Sequence, residues 1–265
     1  MKRVKKAVIA GVIIAVVGAV VFLGAMGATG WDFSKIDNWE QDTYTANAVV
    51  SKLDVDVSAG KVVINRGDVE VVTVKYDYNE TYKPEIVQNG SVLKIETPKK
   101  KNWIEFSFWF SKAPTTEITL PKDMSINQLK LTLNAGKVVL GDGYWGDLVN
   151  VKLNAGTLTV GDVQANEILV DINAGTFKAT KLNCSRLTCD VSAGSAKISS
   201  LRCGDVILDV SAGSANIKFA GAQSEYNITV KKSAGSCNVS NQMGSTAKLI
   251  AIDVSAGSVT LTFDN

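Results

Sequence analysis

Aspartate is the residue type whose spacing most suggests chemistry in this chain of 265 residues. Asp171, Asp190 and Asp209 follow one another at intervals of 19 residues, and each lies four residues before a glycine. If they stack on one outward face of a β-sheet, their carboxylates lie about 4.8 Å apart. Like charges at that distance repel unless they are solvated, protonated or bridged by a cation.

Three interpretations of this column follow. It is a solvated face, a weak Ca²⁺ site, or a set of carboxylates for acid–base chemistry on a polysaccharide. The same position in the other repeats holds Asp56, Thr132, Lys152, Lys231 and Asp253. The two lysines favour the solvated face. No other cofactor is indicated.

The composition excludes several kinds of site. The sequence has no histidine, which excludes Ser-His-Asp and Cys-His catalysis and histidine-ligated zinc or haem. Its 28 Lys and Arg against 26 Asp and Glu give a net charge of +2, so nothing in the overall charge indicates a nucleic-acid partner. Arg66-Gly67-Asp68 spells an integrin-type tripeptide, but Gly-Asp recurs after other strands, which favours a turn.

Residues 99–112 combine aromatic and basic side chains. Phe106 and Phe108 alternate towards one face, and Trp103 and Trp109 towards the other. One interpretation is an exposed ribbon that stacks on glycan rings or enters a membrane surface. The alternative is a lid whose aromatic side chains pack on the rest of the fold.

The four cysteines divide into two groups. Cys189 and Cys237 fall on inward positions and are interpreted as small core residues. Cys184 and Cys203 each lie nine residues after a repeat glycine, so they occupy equivalent places in adjacent repeats. Their separation is then within disulfide range, and both a disulfide and an unbridged core pair remain open.

An internal repeat predicts the architecture that positions these residues. A Ser/Asn-Ala-Gly signature places turn glycines at Gly60, Gly136, Gly156, Gly175, Gly194, Gly213, Gly235 and Gly257. From Gly136 onward their spacings are 20, 19, 19, 19, 22 and 22 residues. Around each glycine the apolar residues alternate with period two, which indicates two strands joined by a tight turn. We call each such pair of strands a rung, and we expect its glycine to need a positive φ.

Residues 49–265 are therefore predicted to form an all-β domain, a parallel β-solenoid with rungs of 19–22 residues that pair in register. A β-sandwich is the alternative. Residues 66–128 are irregular and should contain the aromatic excursion, with a hairpin over 84–97 around Asn89-Gly90. An exposed last rung around Phe263 could pair with a second copy.

The N-terminal residues predict a membrane anchor. Residues 1–6 include four basic side chains, and residues 7–28 carry no charge. As a helix, 7–28 would span about 33 Å, which matches a bilayer core. The basic residues predict a cytoplasmic tail, and 29–48 would form a linker. A signal peptide cleaved near Ala25-Met26-Gly27 is the alternative; both place the β-domain outside the cytoplasm.

The sequence resembles a bacterial family of β-strand-repeat proteins known as "putative adhesins". The resemblance rests on the N-terminal anchor, on residues 53–64 (LDVDVSAGKVVI) and on the repeated Asp-Val-Ser-Ala-Gly-Ser units, and it covers residues 50–265. It implies fold and anchoring, and it brings no catalytic residues.

Three functions are compatible with these observations. The first is a non-enzymatic scaffold, anchored to membrane lipid through 7–28, that binds cell-wall glycan or an envelope protein. The second is an envelope-stress or signalling accessory that binds another membrane protein. The third is an enzyme that degrades polysaccharide with the aspartate column.

Overall fold

The computed structural model describes residues 39–80, 82–98 and 113–264. The predicted anchor (7–28) and the aromatic segment (99–112) lie outside these residues. Within the described ranges, no helix is long and apolar enough to cross a membrane.

The fold is all-β, as predicted. The strands in chain order are β1 (Glu40–Thr45), β2 (Lys52–Val57), β3 (Lys61–Gly67), β4 (Thr73–Tyr78), β5 (Glu85–Asn89), β6 (Val92–Glu96), β7 (Thr115–Pro121), β8 (Gln128–Leu133), β9 (Lys137–Leu140), β10 (Gly143–Tyr144), β11 (Leu148–Leu153), β12 (Thr157–Gln164), β13 (Glu167–Ile172), β14 (Thr176–Val191), β15 (Ser195–Val210), β16 (Ser214–Phe219), β17 (Tyr226–Lys232), β18 (Ser236–Cys237), β19 (Lys248–Val254) and β20 (Ser258–Phe263). A short 3₁₀ turn, Gln223–Glu225, precedes β17.

The period-two pattern forms the core. In β14, Leu187, Cys189 and Val191 are buried, whereas Asp190 between them is exposed. Alternate side chains point to opposite faces of a strand, so each rung places its apolar set inside the stack. The buried residues of successive rungs form one continuous hydrophobic core.

The middle rungs stack in the predicted register. Residue 171 pairs with 190, and 190 with 209, in parallel ladders. The strands on the other side of the turn pair in the same way, with Lys178 opposite Lys197. Equivalent residues of consecutive repeats are therefore neighbours, which confirms the solenoid-like stacking of this region.

The order of the rungs changes at both ends. At the N-terminal end, Val55 of β2 pairs with Ile95 of β6 on one side and with Leu131 of β8 on the other. At the C-terminal end, Ile252 of β19 pairs with Leu208 and with Val230. The rung β2–β3 thus lies between β6–β7 and β8–β9, and β19–β20 lies between β15–β16 and β17–β18.

This order corrects the expectation of an exposed last rung around Phe263. The ring of Phe263 stacks on Phe219, with centroids 4.9 Å apart, and the outermost rung is β17–β18. The edge of β17 is also partly covered. Ile228 and Gln242 exchange two backbone hydrogen bonds, and Val230 N–H donates to Asn241 Oδ1 at 2.6 Å. A covered edge is less available to a second chain.

The N-terminal end departs from a wholly parallel sheet. β4 pairs antiparallel with β1 and with β7, and β5 pairs antiparallel with β6. The β5–β6 turn confirms the hairpin predicted at Asn89-Gly90, where Gly90 has a φ of 57°. The parallel solenoid predicted for residues 49–265 is therefore interrupted here, within the region 66–128 that was predicted to be irregular.

The turn glycines have a different role from the one expected. Gly60, Gly136 and Gly156 have φ between 92° and 96°. The other five, Gly175, Gly194, Gly213, Gly235 and Gly257, lie outside the left-handed region. The turns stack so closely that a Cβ on Gly257 would lie 2.6 Å from the carbonyl oxygen of Gly213. The close approach of neighbouring backbones therefore excludes a side chain at these turns. At Gly60, Gly136 and Gly156 the positive φ disfavours a side chain as well.

Candidate functional site

The aspartate column is longer than the sequence spacing indicated. The register places Asp253 next to Asp209 and before Lys231, because β19 lies inside β17. Four aspartates, Asp171, Asp190, Asp209 and Asp253, therefore follow one another between Lys152 and Lys231. Chain order had placed Lys231 directly after Asp209, so sequence reasoning missed the fourth neighbour.

The electrostatics of the column are unfavourable at its centre. Partial burial, followed by the charges of Asp209 and Asp171, raises the pKa of the Asp190 carboxyl. Lys152 reaches only the end of the column, with its Nζ 3.8 Å from Asp171 Oδ2. Both lysines flank the aspartates, as a solvated face requires.

The calcium hypothesis gains no support from this arrangement. Within the described residues, no group of three or more His, Cys, Asp or Glu side chains is placed to hold a metal ion. The carboxylates form a line along the stack. A Ca²⁺ site at Asp171, Asp190 and Asp209 stays a prediction.

Three other outward columns pair opposite charges between adjacent rungs. Lys130 Nζ lies 3.0 Å from Asp54 Oδ2, and Lys181 Nζ lies 2.7 Å from Asp162 Oδ2. Arg186 pairs with the next rung in the same way, 3.2 Å from Asp205. Exposed ion pairs of this kind contribute little to stability. Compared with these columns, the aspartate column is uniformly acidic.

The asparagines of the turns bond to one another across rungs. Asn134 Nδ2 donates to Asp56 Oδ1 at 2.9 Å, Asn154 to Asn134 at 2.7 Å, and Asn173 to Asn154 at 2.7 Å. This ladder of side chains joins four successive rungs along the stack.

The N-terminal end of the described stack carries a cleft. Of its lining residues, the sequence analysis considered only Gly67 and Asp68, as part of a turn. Three loops, 46–50, 67–72 and 121–124, line a cleft of about 560 Å³, which we call the end cleft. Val49 is 80% exposed and Val71 42% exposed at its mouth. Asp68, Glu70, Lys122 and Asp123 add charge to the lining. A concave site of this volume with mixed apolar and charged lining is within the range of ligand-binding sites.

Arg66 fixes the loop that follows β7. Its Nη1 donates to the carbonyl oxygens of Pro121, Lys122 and Met124 at 3.0, 3.2 and 2.7 Å. Its guanidinium carbon lies 5.1 Å from the ring centroid of Trp145, and burial lowers the pKa of Arg66. These partners hold the guanidinium in place. Arg66 and Gly67 are the last two residues of β3, so the turn that the sequence analysis favoured begins only at Asp68.

The remaining sequence-predicted residues divide between the core and the undescribed part of the chain. Cys184 and Cys203 are buried partners in adjacent rungs. Trp103, Phe106, Phe108 and Trp109 lie outside the described residues, so their proposed ligand contacts stay a prediction.

The described residues thus form an all-β protein of stacked strand repeats, with columns of side chains on its surface and the end cleft. The chain belongs to the Toastrack DUF4097 family, whose model matches residues 50–264. This membership agrees with the resemblance stated from the sequence. A search of curated proteins gives no match.

Solved structures that share the fold include the following two. A "putative adhesin" from Bacteroides fragilis is 11% identical with a TM-score of 0.54. A "Putative lipid binding protein" from Parabacteroides distasonis is 12% identical with a TM-score of 0.53. In both cases the match covers 85% of this chain and 97% of the other. Identities this low show a common fold and carry no function.

Proposed function

We propose that this chain is a non-enzymatic binding protein of the cell envelope. Residues 7–28 anchor it in the membrane with residues 1–6 in the cytoplasm, and the stacked rungs project on the outer side. The partner is cell-wall glycan or a protein of the envelope. The two similar structures are described as a "putative adhesin" and a "Putative lipid binding protein", which agrees with a binding role.

The end cleft is the observation that carries this proposal. Its volume falls in the range of ligand sites, and the Arg66 bonds fix one of its walls before any ligand arrives. A preformed wall lowers the entropic cost of binding. Val49 and Val71 expose apolar area at the mouth, and burying such area against a partner is favourable.

The repeated faces support a scaffold role. Two of the cleft loops lead into β2 and β8, which pair parallel and in register, and β8 continues the stack through β11. Ion pairs between adjacent rungs, such as Lys181–Asp162, already engage part of the charged surface in contacts within the chain. The cleft is then the place where binding adds contacts that the fold does not already make.

Co-sedimentation of the full chain, kept in mild detergent, with isolated cell wall tests the proposal. We expect the protein to pellet with the wall without releasing sugar into the supernatant. Val49→Asp should reduce pelleting at least several-fold, because it replaces exposed apolar area in the cleft by a charge. Val87→Asp is the matched control, since Val87 is 37% exposed on β5, outside the residues that line the cleft.

Each result has a distinct meaning. Equal loss in both variants would show that the cleft is not the contact. Release of sugar that is abolished by Asp190→Asn would replace the binding role with the enzymatic alternative. Absence of pelleting would contradict the glycan partner, and crosslinking to a membrane protein in intact cells would then test the protein partner.

A further inference from the structure

Two buried thiols meet between adjacent rungs. Cys184 of β14 and Cys203 of β15 are direct partners in the parallel ladder. Their Sγ atoms lie 3.2 Å apart, and both side chains are buried. A disulfide needs an S–S distance of about 2.05 Å and Cα atoms about 4.4–6.8 Å apart. Neighbouring strands of a sheet meet the second condition, and small side-chain rotations meet the first.

The surroundings single out this pair. Cys189 pairs with Val170 and Leu208, and Cys237 pairs with Val259, so neither has a thiol in register beside it. In the two preceding rungs the position equivalent to Cys184 holds Trp145 and Ala165. Apolar residues fill this position without sulfur, so the fold itself does not require cysteine here.

We propose that Cys184 and Cys203 are a redox site that closes to a disulfide between adjacent rungs when a disulfide-bearing oxidant is supplied. Cys184 is the more exposed of the two, at 9% against 3%. It therefore reacts first, as a thiolate, and forms a mixed disulfide with one sulfur of the oxidant. The other sulfur leaves as a thiolate.

The second step completes the bond. The Cys203 thiolate attacks Sγ of Cys184, and the remaining half of the oxidant leaves as a thiolate. The chain loses two protons and two electrons, and the oxidant is reduced from one disulfide to two thiols. In the reduced form Cys184 donates a hydrogen bond to Cys203, which in turn donates to the carbonyl oxygen of Asp205 at 3.1 Å.

These hydrogen bonds control the rate. The hydrogen bond to Cys203, together with burial, raises the pKa of the Cys184 thiol. Because the thiolate is the nucleophile, closure should be slow at neutral pH and should accelerate as the pH rises towards 9. Cys203 lies in place for the second step, so the mixed disulfide should not accumulate.

The test uses the full chain, purified reduced and then incubated with oxidised glutathione. We expect the thiols that react in denaturant to fall from four to two. Tryptic digestion after blocking should yield peptide 182–186 joined to peptide 203–218, and reduction should separate them. The oxidised protein should melt several degrees higher, because the cross-link restricts the unfolded chain.

Two variants complete the test. Cys184→Ala introduces the residue type that occupies the equivalent position of the preceding rung, Ala165. We therefore expect this variant to fold, to yield no joined peptides and to show no shift in melting temperature on oxidation. Cys237→Ser is the matched control and should keep both. Four reactive thiols after oxidation, a stable glutathione adduct on Cys184, or joined peptides that contain Cys189 or Cys237 would each overturn the proposal.

Discussion

The middle and the two ends of the stack follow different rules. In the middle, from β8 to β16, each rung pairs with the rung that precedes it in the chain. At both ends, two rungs that follow one another in the chain are separated in the stack by a third rung. β2–β3 lies between β6–β7 and β8–β9, and β19–β20 lies between β15–β16 and β17–β18. Sequence proximity sets the order only where the connections are short.

The connections show the physical cause. Consecutive strands are about 4.8 Å apart, so a chain that passes over one layer must cover about twice that distance. The connection from β16 to β17 includes the 3₁₀ turn Gln223–Glu225, and residues 238–247 connect β18 to β19. The glycine spacing increases from 19 to 22 residues in this region. Those three extra residues are the signal in the sequence for the change of order.

Gly194→Val should have the largest effect, because it acts where the turns of the middle rungs stack. A Cβ at Gly194 would meet the carbonyl oxygen of Gly175 and the side chain of Ile172. We expect a loss of at least about 4 kcal/mol in the free energy of unfolding, measured by urea denaturation, or no folded protein. Gly90→Ala is the control: no described residue lies within 4 Å of a Cβ added at Gly90, and only its φ of 57° costs about 1 kcal/mol. Equal effects would refute close stacking as the reason for glycine.

Val259→Ala and Cys237→Ala compare the two rungs whose order is exchanged. Val259 lies between Ala215 and Cys237 and is buried, so we expect a loss of about 2 kcal/mol. Cys237 lies on the outermost rung and is only half-buried, so its truncation should cost less than about 1 kcal/mol. Thermal and urea unfolding measure both. The reverse ranking would indicate that the rungs follow chain order.

The sequence predicted the rungs but not their order. The alternation around Gly194 correctly placed Leu187, Cys189 and Val191 in the core. Because the rungs share the same alternation of apolar and polar residues, this pattern does not specify which rung stacks on which. The choice depends on connections and on end contacts such as Phe263 on Phe219, which no single repeat encodes.

The candidate site was predictable to a smaller extent. The spacing of 19 residues identified three members of the aspartate column, and the fourth, Asp253, needed the exchanged order. The end cleft consists of loops that lack the repeat, so no periodic signal points to it. The sequence analysis placed Arg66 in a turn, and its bonds to the carbonyl oxygens of Pro121, Lys122 and Met124 follow only from the tertiary fold.

Asn154→Ala tests whether the turn ladder adds to the stability of the middle rungs. Asn154 donates to Asn134 and accepts from Asn173, so truncation removes two hydrogen bonds. We expect a loss of about 1–2 kcal/mol in urea denaturation, since each bond contributes about 0.5–1.5 kcal/mol. Ser192→Ala, at the equivalent turn position, is the control and should have a smaller effect. No difference between them would show that solvent replaces the ladder at no cost.

Asp190→Asn should have the smallest effect, and its sign is opposite. The pKa of Asp190 is raised in the folded state by partial burial and by Asp209 and Asp171, so ionisation costs the folded protein free energy. The penalty is complete above the folded pKa and disappears below the ordinary carboxyl value of the unfolded chain. At pH 7 the variant should gain about 0.5 kcal/mol, the size of an exposed cross-strand repulsion, and near pH 3 the gain should vanish.

Asp162→Asn provides the opposite control, because Asp162 lies 2.7 Å from Lys181 Nζ and its replacement removes an attraction. If both variants shift stability in the same direction at pH 7, the charges of the column do not explain the gain. Calcium separates the remaining interpretations. At equal ionic strength, CaCl₂ should stabilise the parent and the Asp190→Asn variant no more than NaCl does if the column is a solvated face. A calcium-specific rise in melting temperature that Asp190→Asn removes would instead support the metal site, since only a cation bound between neighbouring carboxylates would convert their repulsion into stability.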